Sequence, residues 1–515
     1  MQRRKLLQYA GLAAGFTLGK IPVWASAKNQ FSALAEENDN ILVIVQMFGG
    51  NDGLNTVIPA DDDRYYSKYR PKLSIPKNTL LKLKDGTYMN PMLKSGVNSG
   101  LFGLFGEGKL AVIQGIGYPN NSLSHFRSTD IWLSATMPVN DSQRLDTGWL
   151  GRLTEKLNGN ALPEHPTCMN IGNSSSLLFQ GTKGDLSIAV ENPNDFYERG
   201  KDILSGDAVM ANNSNFASER NYLLDVSIQS NKYSAVVKKA FDAGKNVATF
   251  ETDNLSKELQ LVSRLIAGGL KTKVYLVSID GFDTHANQGS DGGKHAELLK
   301  KVSTSIASFM ADLKAQKISD KVVGMTVSEF GRRPEENASL GSDHGAASVM
   351  FMFGDAVNGK TYGENLNFDK LDKNKDFVYQ FDYRRVYDEL MIKWFKTDSN
   401  VTKEILTGRF DLIEQGIFST KQVLSNQSGP SISSIIAFPN PTVDGFINLK
   451  ITIEKPSDIS IQITDIQGIN IQQNYPSQLP SGVHTLPLQV GNISGIYFVT
   501  VITNESKEIL KVIRL

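Results

Sequence analysis

Side chains able to bind a metal follow three hydrophobic runs of the chain, 41–45, 273–279 and 321–327, close to the point where each run ends. They are five carboxylates and two histidines: Asp52, Asp280, Asp283, His285, Glu329, Asp343 and His344. Close carboxylates repel one another and cannot all stay ionised without a countercharge. A divalent cation supplies that charge, and a mixed Asp, Glu and His set suits Zn or Mn, with Ca or Mg as alternatives. These residues therefore predict a metal site.

The elements that must position these residues indicate an α/β fold. The three runs are continuously apolar, as expected of strands buried on both faces of a sheet. Between the last two runs, Leu299, Val302 and Ile306 recur at helical spacing, and a second helical stripe precedes the run 273–279. Helices alternating with buried strands predict a mostly parallel sheet flanked by helices. Ligands of such sheets bind outside the carboxyl ends of the strands, where the seven residues lie.

Length, charge and cysteine content narrow the function further. The chain has 515 residues, whereas single hydrophobic cores stop growing at about 250–300 residues, so more than one domain is expected. Its 54 basic residues balance 54 acidic ones, which argues against a nucleic-acid binder. The single cysteine, Cys168, excludes an internal disulfide and a cysteine-based zinc cluster. A metal must therefore be held by oxygen and nitrogen ligands.

Residues 1–27 have the three parts of an export signal. A basic start at Arg3–Lys5 precedes a short apolar stretch, and Ala25-Ser26-Ala27 forms the small-residue ending that signal peptidase cleaves. Glycines, Lys20 and Pro22 interrupt the apolar stretch, so it is a poor match to the ~20 apolar residues of a membrane span. The paired arginines resemble a twin-arginine signal, and a general secretory signal is the alternative. Export without a transmembrane anchor is predicted.

The region 432–515 differs from the rest of the chain in the pattern of its apolar and polar residues. A polar linker at 425–431 separates it from the domain predicted at 28–424. After the linker come short alternating strands divided by turn residues, including 446–453, 459–463, 497–502 and 509–513. This spacing predicts a small, independent β-sandwich.

Several motifs of this region resemble the type IX secretion sorting domain. They stand in the family's order: Phe438-Pro439-Asn440-Pro441, Ile463-Thr464-Asp465-Ile466-Gln467-Gly468, Ser494-Gly495-Ile496-Tyr497-Phe498-Val499 and Lys511-Val512-Ile513-Arg514-Leu515. The resemblance implies an immunoglobulin-like sandwich that directs its cargo through the periplasm and across the outer membrane. The partners it implies are signal peptidase and the type IX machinery, and the location is outside the cell or on its outer surface.

The central region resembles the secreted "domain of unknown function 1501" (DUF1501) family. The motifs are Gly49-Gly50-Asn51-Asp52-Gly53-Leu54-Asn55, Ser124-His125-Phe126, Gly148-Trp149-Leu150-Gly151-Arg152, Asp283-Thr284-His285, Ser328-Glu329-Phe330-Gly331-Arg332 and Asp343-His344-Gly345. That family is similar to the alkaline phosphatase and sulfatase superfamily of α/β metallohydrolases. The resemblance implies an alkaline-phosphatase-like fold in which Asp52 binds metal after the first strand. It also implies that Asp280 and His285 hold one ion and Asp343 and His344 another, with Asp283 and Glu329 as further ligands.

The ligand set and the nucleophile depart from the superfamily pattern. No histidine follows His344 until His484 in the C-terminal region, so either one or two ions are expected. The Cys-x-Pro-x-Arg signature of sulfatases is absent. Ser124 and the adjacent His125 are the favoured catalytic residues. Ser122 is a second candidate for the nucleophile, and a helix N-cap is the alternative role of either serine.

Two functions are compatible with these residues. The first is a secreted metal-dependent hydrolase of phosphate or sulfate esters, in which Arg332 or Arg127 binds the anionic oxygens of the substrate. The second is a secreted or cell-surface binding protein, without catalysis, that keeps a structural metal on a hydrolase-like fold. An anionic ester or a glycan is the expected ligand in either case.

Overall fold

A computed structural model describes residues 39–138, 140, 143–158, 163–182, 184–201, 231–414, 416–419, 432–453, 457–466, 469–473, 477–502 and 507–515. The chain divides into two compact units, residues 1–421 and residues 422–515. The predicted export signal and the predicted linker lie outside the described residues. None of the described helices is long and apolar enough to cross a membrane.

The first unit contains fourteen strands among its described residues. They are β1 (Ile41–Met47), β2 (Val57–Ile58), β3 (Leu81–Lys82), β4 (Tyr88–Met89), β5 (Leu110–Gly117), β6 (Cys168–Asn170), β7 (Ser187–Ala189), β8 (Val274–Ile279), β9 (Val322–Val327), β10 (Gly331–Glu336), β11 (Ser342–Gly345), β12 (Ser348–Gly354), β13 (Thr361–Tyr362) and β14 (Phe381–Asp382). The α-helices are α1 (Gly53–Thr56), α2 (Gly100–Gly106), α3 (His125–Ser134), α4 (Trp149–Asn158), α5 (Pro193–Lys201), α6 (Asn254–Ala267), α7 (Lys294–Ala315), α8 (Tyr383–Glu389) and α9 (Ser399–Ile405). Residues 231–243 are also helical.

Nine strands form the central sheet, in the order β13-β5-β12-β9-β1-β8-β6-β7, with β14 paired to β5. The neighbours β9, β1, β8, β6 and β7 run parallel. Strand β12 runs antiparallel to both β9 and β5, so β5 points in the same direction as β9. The three apolar runs of the sequence are thus adjacent strands, and the predicted α/β fold with a mostly parallel sheet is confirmed.

The sheet is buried on both faces because its strands carry apolar side chains on both faces. In β1, Val43, Val45 and Met47 enter one core cluster, and Leu42 and Ile44 enter the other. The first cluster also contains the apolar stripes of α6 and α7, which were predicted from their spacing of three and four residues.

The second unit is made of antiparallel strands. They are β15 (Ile432–Phe438), β16 (Phe446–Ile453), β17 (Ser457–Asp465), β18 (Asn470–Gln473), β19 (Ser477–Leu479), β20 (Gly482–Gln489), β21 (Gly495–Ile502) and β22 (Lys507–Arg514). One sheet has the order β15-β16-β20 and the other β18-β17-β21-β22. Isoleucines of β16 and β17 share one core cluster, so the two sheets pack face to face, as the sequence predicts.

Candidate metal centre

Four strand ends meet at one edge of the central sheet. Strands β1, β8 and β9 run parallel, and β5 points the same way, so their carboxyl ends share that edge. The segments that follow them pack tightly against one another. Gly49, after β1, has a φ of +121°, and a Cβ at this position would lie 2.2 Å from the backbone nitrogen of Asp283, after β8. Only glycine allows this close approach.

Three histidines surround the carboxylate of Asp283 at this edge. The distances from its oxygens to the Nε2 atoms are 3.3 Å for His285, 3.4 Å for His344 and 3.5 Å for His125. Nε2 of His285 also lies 2.8 Å from Nε2 of His344. His125 begins α3 after β5, whereas His285 follows β8 and His344 lies in β11. We call these four residues the histidine cluster.

The other ring nitrogen of each histidine faces an oxygen that accepts a hydrogen bond. Nδ1 of His125 lies 2.7 Å from Oε1 of Glu329, and Nδ1 of His285 lies 3.2 Å from Oδ1 of Asp343. Nδ1 of His344 lies 2.8 Å from the carbonyl oxygen of Leu123. A proton on Nδ1 would complete each of these hydrogen bonds and leave the Nε2 lone pair available to a cation.

This donor set fits a divalent cation. Two unprotonated Nε2 atoms at hydrogen-bond distance repel unless a proton or a cation lies with them. Three carboxylates, those of Asp283, Glu329 and Asp343, contact the histidines, and Arg332 forms an ion pair with only one of them, Asp283, so negative charge remains at the cluster. Histidines whose Nδ1 atoms are fixed by carboxylate or carbonyl oxygens are the usual arrangement of metal ligands. Imidazole and carboxylate together suit Zn or Mn.

The ionisation of the cluster at neutral pH also favours cation binding. Partial burial acts to raise the pKa of Asp283, but the hydrogen bond and charge of Arg332, together with His285 and His344, outweigh it and bring that pKa to about 2. Burial lowers the pKa of His344 below its usual 6.5. The carboxylate is therefore charged and the His344 ring neutral at pH 7, as metal ligands require.

Comparison with known proteins decides the family. The model of the family described as "Protein of unknown function (DUF1501)" matches residues 111–380, more than half of the chain. The chain belongs to the DUF1501 family. The model described as "Secretion system C-terminal sorting domain" matches residues 436–514. Both resemblances found in the sequence are thereby confirmed. No curated protein matches the chain.

Solved structures similar to this DUF1501 chain include three bacterial proteins. A sulfatase from Pseudoalteromonas sp. is 9% identical, with 95% of this chain and 90% of that chain covered and a TM-score of 0.34. A protein of the alkaline phosphatase superfamily from Vibrio parahaemolyticus is 10% identical, with 99% and 91% covered and a TM-score of 0.30. A phosphonate monoester hydrolase from Silicibacter pomeroyi is 8% identical, with 92% and 88% covered and a TM-score of 0.33.

The structure brings together most, but not all, of the metal-binding residues predicted for this DUF1501 chain. Asp283, His285 and His344 lie in the histidine cluster. Glu329 and Asp343 lie within hydrogen-bond distance of Nδ1 of His125 and of His285, respectively. Asp280 is exposed, and its carboxylate accepts a hydrogen bond from the backbone nitrogen of Gly281. It forms no hydrogen bond or ion pair with the described histidines.

Asp52 is buried and bonded to other groups. Its carboxylate accepts from Nη1 of Arg70 at 2.6 Å and from Nε2 of Gln288 at 2.5 Å, and it caps the N-terminus of α1. Both charged side chains of the Asp52–Arg70 pair are fully buried. The guanidinium of Arg70 thus supplies the countercharge at Asp52, so the prediction of Asp52 as a metal ligand does not fit its surroundings.

The predicted role of Arg332 in binding substrate oxygens does not fit its position. Its side chain is fully buried, and it donates to the carbonyl oxygens of Gly49, Gly50, Phe282 and Ser342 as well as to Asp283. Its donors are thus directed at the protein, and it holds the strand-end segments together. The alternative, Arg127, donates to the carbonyl oxygens of Asn140 and Gln143.

Ser124 occupies the N-cap position of α3 without acting as a side-chain cap. It is exposed, its hydroxyl makes no capping hydrogen bond, and the next residue, His125, belongs to the histidine cluster. Ser122 differs, because its Oγ accepts a hydrogen bond from the backbone nitrogen of Ser124 at 3.3 Å. The hydroxyl of Ser124 is therefore the less constrained of the two.

Three contributors to the site were not identified from the sequence. Asn337 donates from Nδ2 to Asp343 and to the carbonyl oxygen of His285, and so fixes the acid behind that ring. The carbonyl of Leu123 and the side chain of Arg70 are the others. Asn337 follows an acidic stretch without any recognisable motif. A backbone carbonyl carries no sequence signal at all.

Proposed function

We propose that this chain is a secreted, metal-dependent hydrolase of phosphate or sulfate esters. The observation that supports this most strongly is the convergence of three histidine Nε2 atoms on the ionised carboxylate of Asp283. His125, His344 and Asp283, whose ligand atoms all lie within 4.8 Å of one another, would hold one divalent ion, Zn or Mn, with His285 as a further ligand. Such an ion lowers the pKa of a hydroxyl or a water and stabilises the negative charge that develops on a transferred phosphoryl or sulfuryl group.

The protein groups around the cluster have separate tasks in this proposal. Glu329 and Asp343 orient His125 and His285, and Arg332 keeps Asp283 ionised and in place. The exposed hydroxyl of Ser124 is the proposed nucleophile. Because Arg332 and Arg127 donate their hydrogen bonds to other protein groups, neither is directed at the ester, which would be bound chiefly by the cation.

The cluster is accessible enough for an ester to reach it. The side chains of Asp283 and His285 are 45% and 44% exposed, although both make several polar contacts. Such exposure would allow an anionic ester group to approach the Nε2 side of the rings.

The location follows from the C-terminal domain. A secretion sorting domain means that the protein is exported. We infer passage through the periplasm and release or attachment at the outer surface by the type IX machinery, after removal of the N-terminal signal by signal peptidase.

A second candidate is a secreted binding protein that keeps the metal without catalysis. The full engagement of Arg332 favours it, because a phosphate or sulfate hydrolase commonly uses a guanidinium to stabilise transferred oxygens. In that case the metal would bind an anionic group of the ligand and no bond would be cleaved.

Metal removal and restoration separate the two candidates. The full chain would be stripped with a chelator and assayed on aryl phosphates and aryl sulfates after addition of Zn, Mn, Ca or Mg. The hydrolase proposal expects metal-dependent turnover that is lost in Asp343→Ala and His344→Ala. His484→Ala is the control, because His484 lies in β20 of the second unit. Absence of turnover with every metal, or turnover unchanged in both site variants, would refute catalysis.

A further inference from the structure

The buried amide of Gln288 connects the two chain segments that carry most of the histidine cluster. Its Oε1 accepts a hydrogen bond from Oγ1 of Thr284 at 3.0 Å and one from Oγ of Ser342 at 2.5 Å. Thr284 stands between Asp283 and His285, and Ser342 is two residues before His344. All three polar side chains of this connection are buried.

The other end of the amide is fixed as well. Its Nε2 donates to Oδ2 of Asp52 at 2.5 Å, and Asp52 pairs with the buried Arg70. Arg70 in turn donates to the carbonyl oxygens of Arg333 and Pro334 in β10, at 2.7 Å each. Because an ionised carboxylate only accepts hydrogen bonds, the amide nitrogen must face Asp52, and its oxygen must face the two hydroxyls.

This orientation makes the connection specific. An amide oxygen can accept two hydrogen bonds, and here each of its two donors comes from a different ligand-bearing segment. Removing that oxygen would leave two buried hydroxyls without their acceptor. Metal sites need their ligands held to within about 0.5 Å, so a small shift of either segment would change the geometry of the histidine cluster.

We propose that Gln288 is a positioning residue for the metal, acting through the hydroxyls of Thr284 and Ser342. It binds no metal itself. It sets the relative position of Asp283 and His285, on one segment, and His344, on the other. The inference rests on the metal site of the proposed function and does not require that the protein be catalytic.

The test measures metal affinity in three variants of the full chain, Gln288→Met, Thr284→Val and Ser342→Ala. Each is stripped of metal, and its Kd for Zn is determined by competition with a chromogenic chelator. The visible absorption of the Co(II) form is recorded in parallel. Loss of a group bonded directly to a metal ligand typically weakens affinity by about 10–100-fold. These three side chains act one step further out, so we expect a loss at the lower end of that range, about tenfold, with a changed Co(II) spectrum.

Matched controls remove buried hydroxyls elsewhere in the first unit. Thr154→Val removes the hydroxyl that lies 3.3 Å from Sγ of Cys168, and Ser263→Ala removes one that donates to Asp312 at 2.6 Å. Neither should change the Zn affinity or the Co(II) spectrum. Thr284→Ser keeps the hydroxyl and should restore the affinity that Thr284→Val loses.

The outcomes are distinct. The role of Gln288 would be overturned if Thr284→Val and Ser342→Ala bind Zn as tightly as the unsubstituted chain and show the same Co(II) spectrum. Thr284→Ser as weak as Thr284→Val would also overturn it. These two hydroxyl variants decide the matter if Gln288→Met does not fold. An unsubstituted chain without Zn affinity would refute the metal site of the proposed function, and this inference with it.

Discussion

Replacement of Glu329 by Gln tests whether the histidine cluster is built to bind a cation. One carboxylate oxygen of this buried residue lies 2.7 Å from Nδ1 of His125, and it also accepts from the backbone nitrogen of Gly49 at 2.8 Å. Glutamine has the same shape and keeps an oxygen that can accept both bonds. The substitution therefore removes the charge and little else.

The expected loss can be derived from these contacts. A hydrogen bond to a charged acceptor is worth about 1.5–3 kcal/mol and a neutral one about 0.5–1.5 kcal/mol, so the bond that orients His125 loses about 1 kcal/mol. At about 1.4 kcal/mol per tenfold change, this alone weakens metal binding about fivefold. The lower basicity of the ring adds to it, and substitutions behind metal ligands typically cost about 10–100-fold. We expect a Zn affinity about tenfold weaker.

The assay is chelator competition on the stripped full chain. Glu389→Gln is the matched control, because Glu389 is also buried and accepts from backbone nitrogens of Ile413 and Ile417. It should leave the Zn affinity unchanged. An unchanged Kd in Glu329→Gln, or an equal loss in Glu389→Gln, would show that the contact to His125 does not support a metal ligand.

Three further predictions concern stability, pH and the nucleophile. Asp52→Asn leaves the buried guanidinium of Arg70 without its carboxylate. The free energy of unfolding, measured in urea, should therefore fall by about 3–5 kcal/mol. A loss under about 1 kcal/mol would contradict the buried ion pair. Burial acts to raise the pKa of Asp52, but Arg70 lowers it below 3.8. The stability that the ionised carboxylate contributes is therefore present at neutral pH and lost as the pH falls through the lowered pKa. Asp52→Asn should lack this acid-dependent loss of stability. Because the pKa of His344 is below 6.5, its ring can bind Zn at neutral pH, and the Zn affinity should weaken in acid as the ring is protonated. A Kd for Zn that is unchanged at about pH 4 would contradict histidine ligands. Ser124→Ala should reduce kcat by about 10³-fold or more and leave Zn affinity unaltered; full turnover in this variant would leave water as the attacking group.

The fold was predictable where the residue pattern of a single strand or helix is enough to identify it. The uninterrupted apolar run of β1 and the helical spacing in α7 identify buried elements without tertiary information. The convergence of Asp283, His285 and His344 followed as well, because parallel strands place their carboxyl ends at one edge. The family resemblance named the segments that carry these residues.

Other features depend on contacts that no local pattern encodes. The third histidine of the cluster, His125, follows β5, which joins the sheet through the antiparallel β12, and such an insertion cannot be read from β5 itself. Asp52 looks like a metal ligand until Arg70, eighteen residues away in sequence, supplies the opposite charge. Arg332 is surrounded by carbonyl oxygens from three different segments, which only the folded chain brings together.

The most direct test is the metal content of the full chain. The protein would be purified, reloaded with Zn or Mn, dialysed and analysed by mass spectrometry for bound metal, beside Asp283→Asn and the control His484→Ala. We predict close to one divalent ion per chain in the unsubstituted protein and in the control, and little or none in Asp283→Asn. A chain that retains no metal after reloading, or an Asp283→Asn variant that retains it fully, would contradict the metal centre.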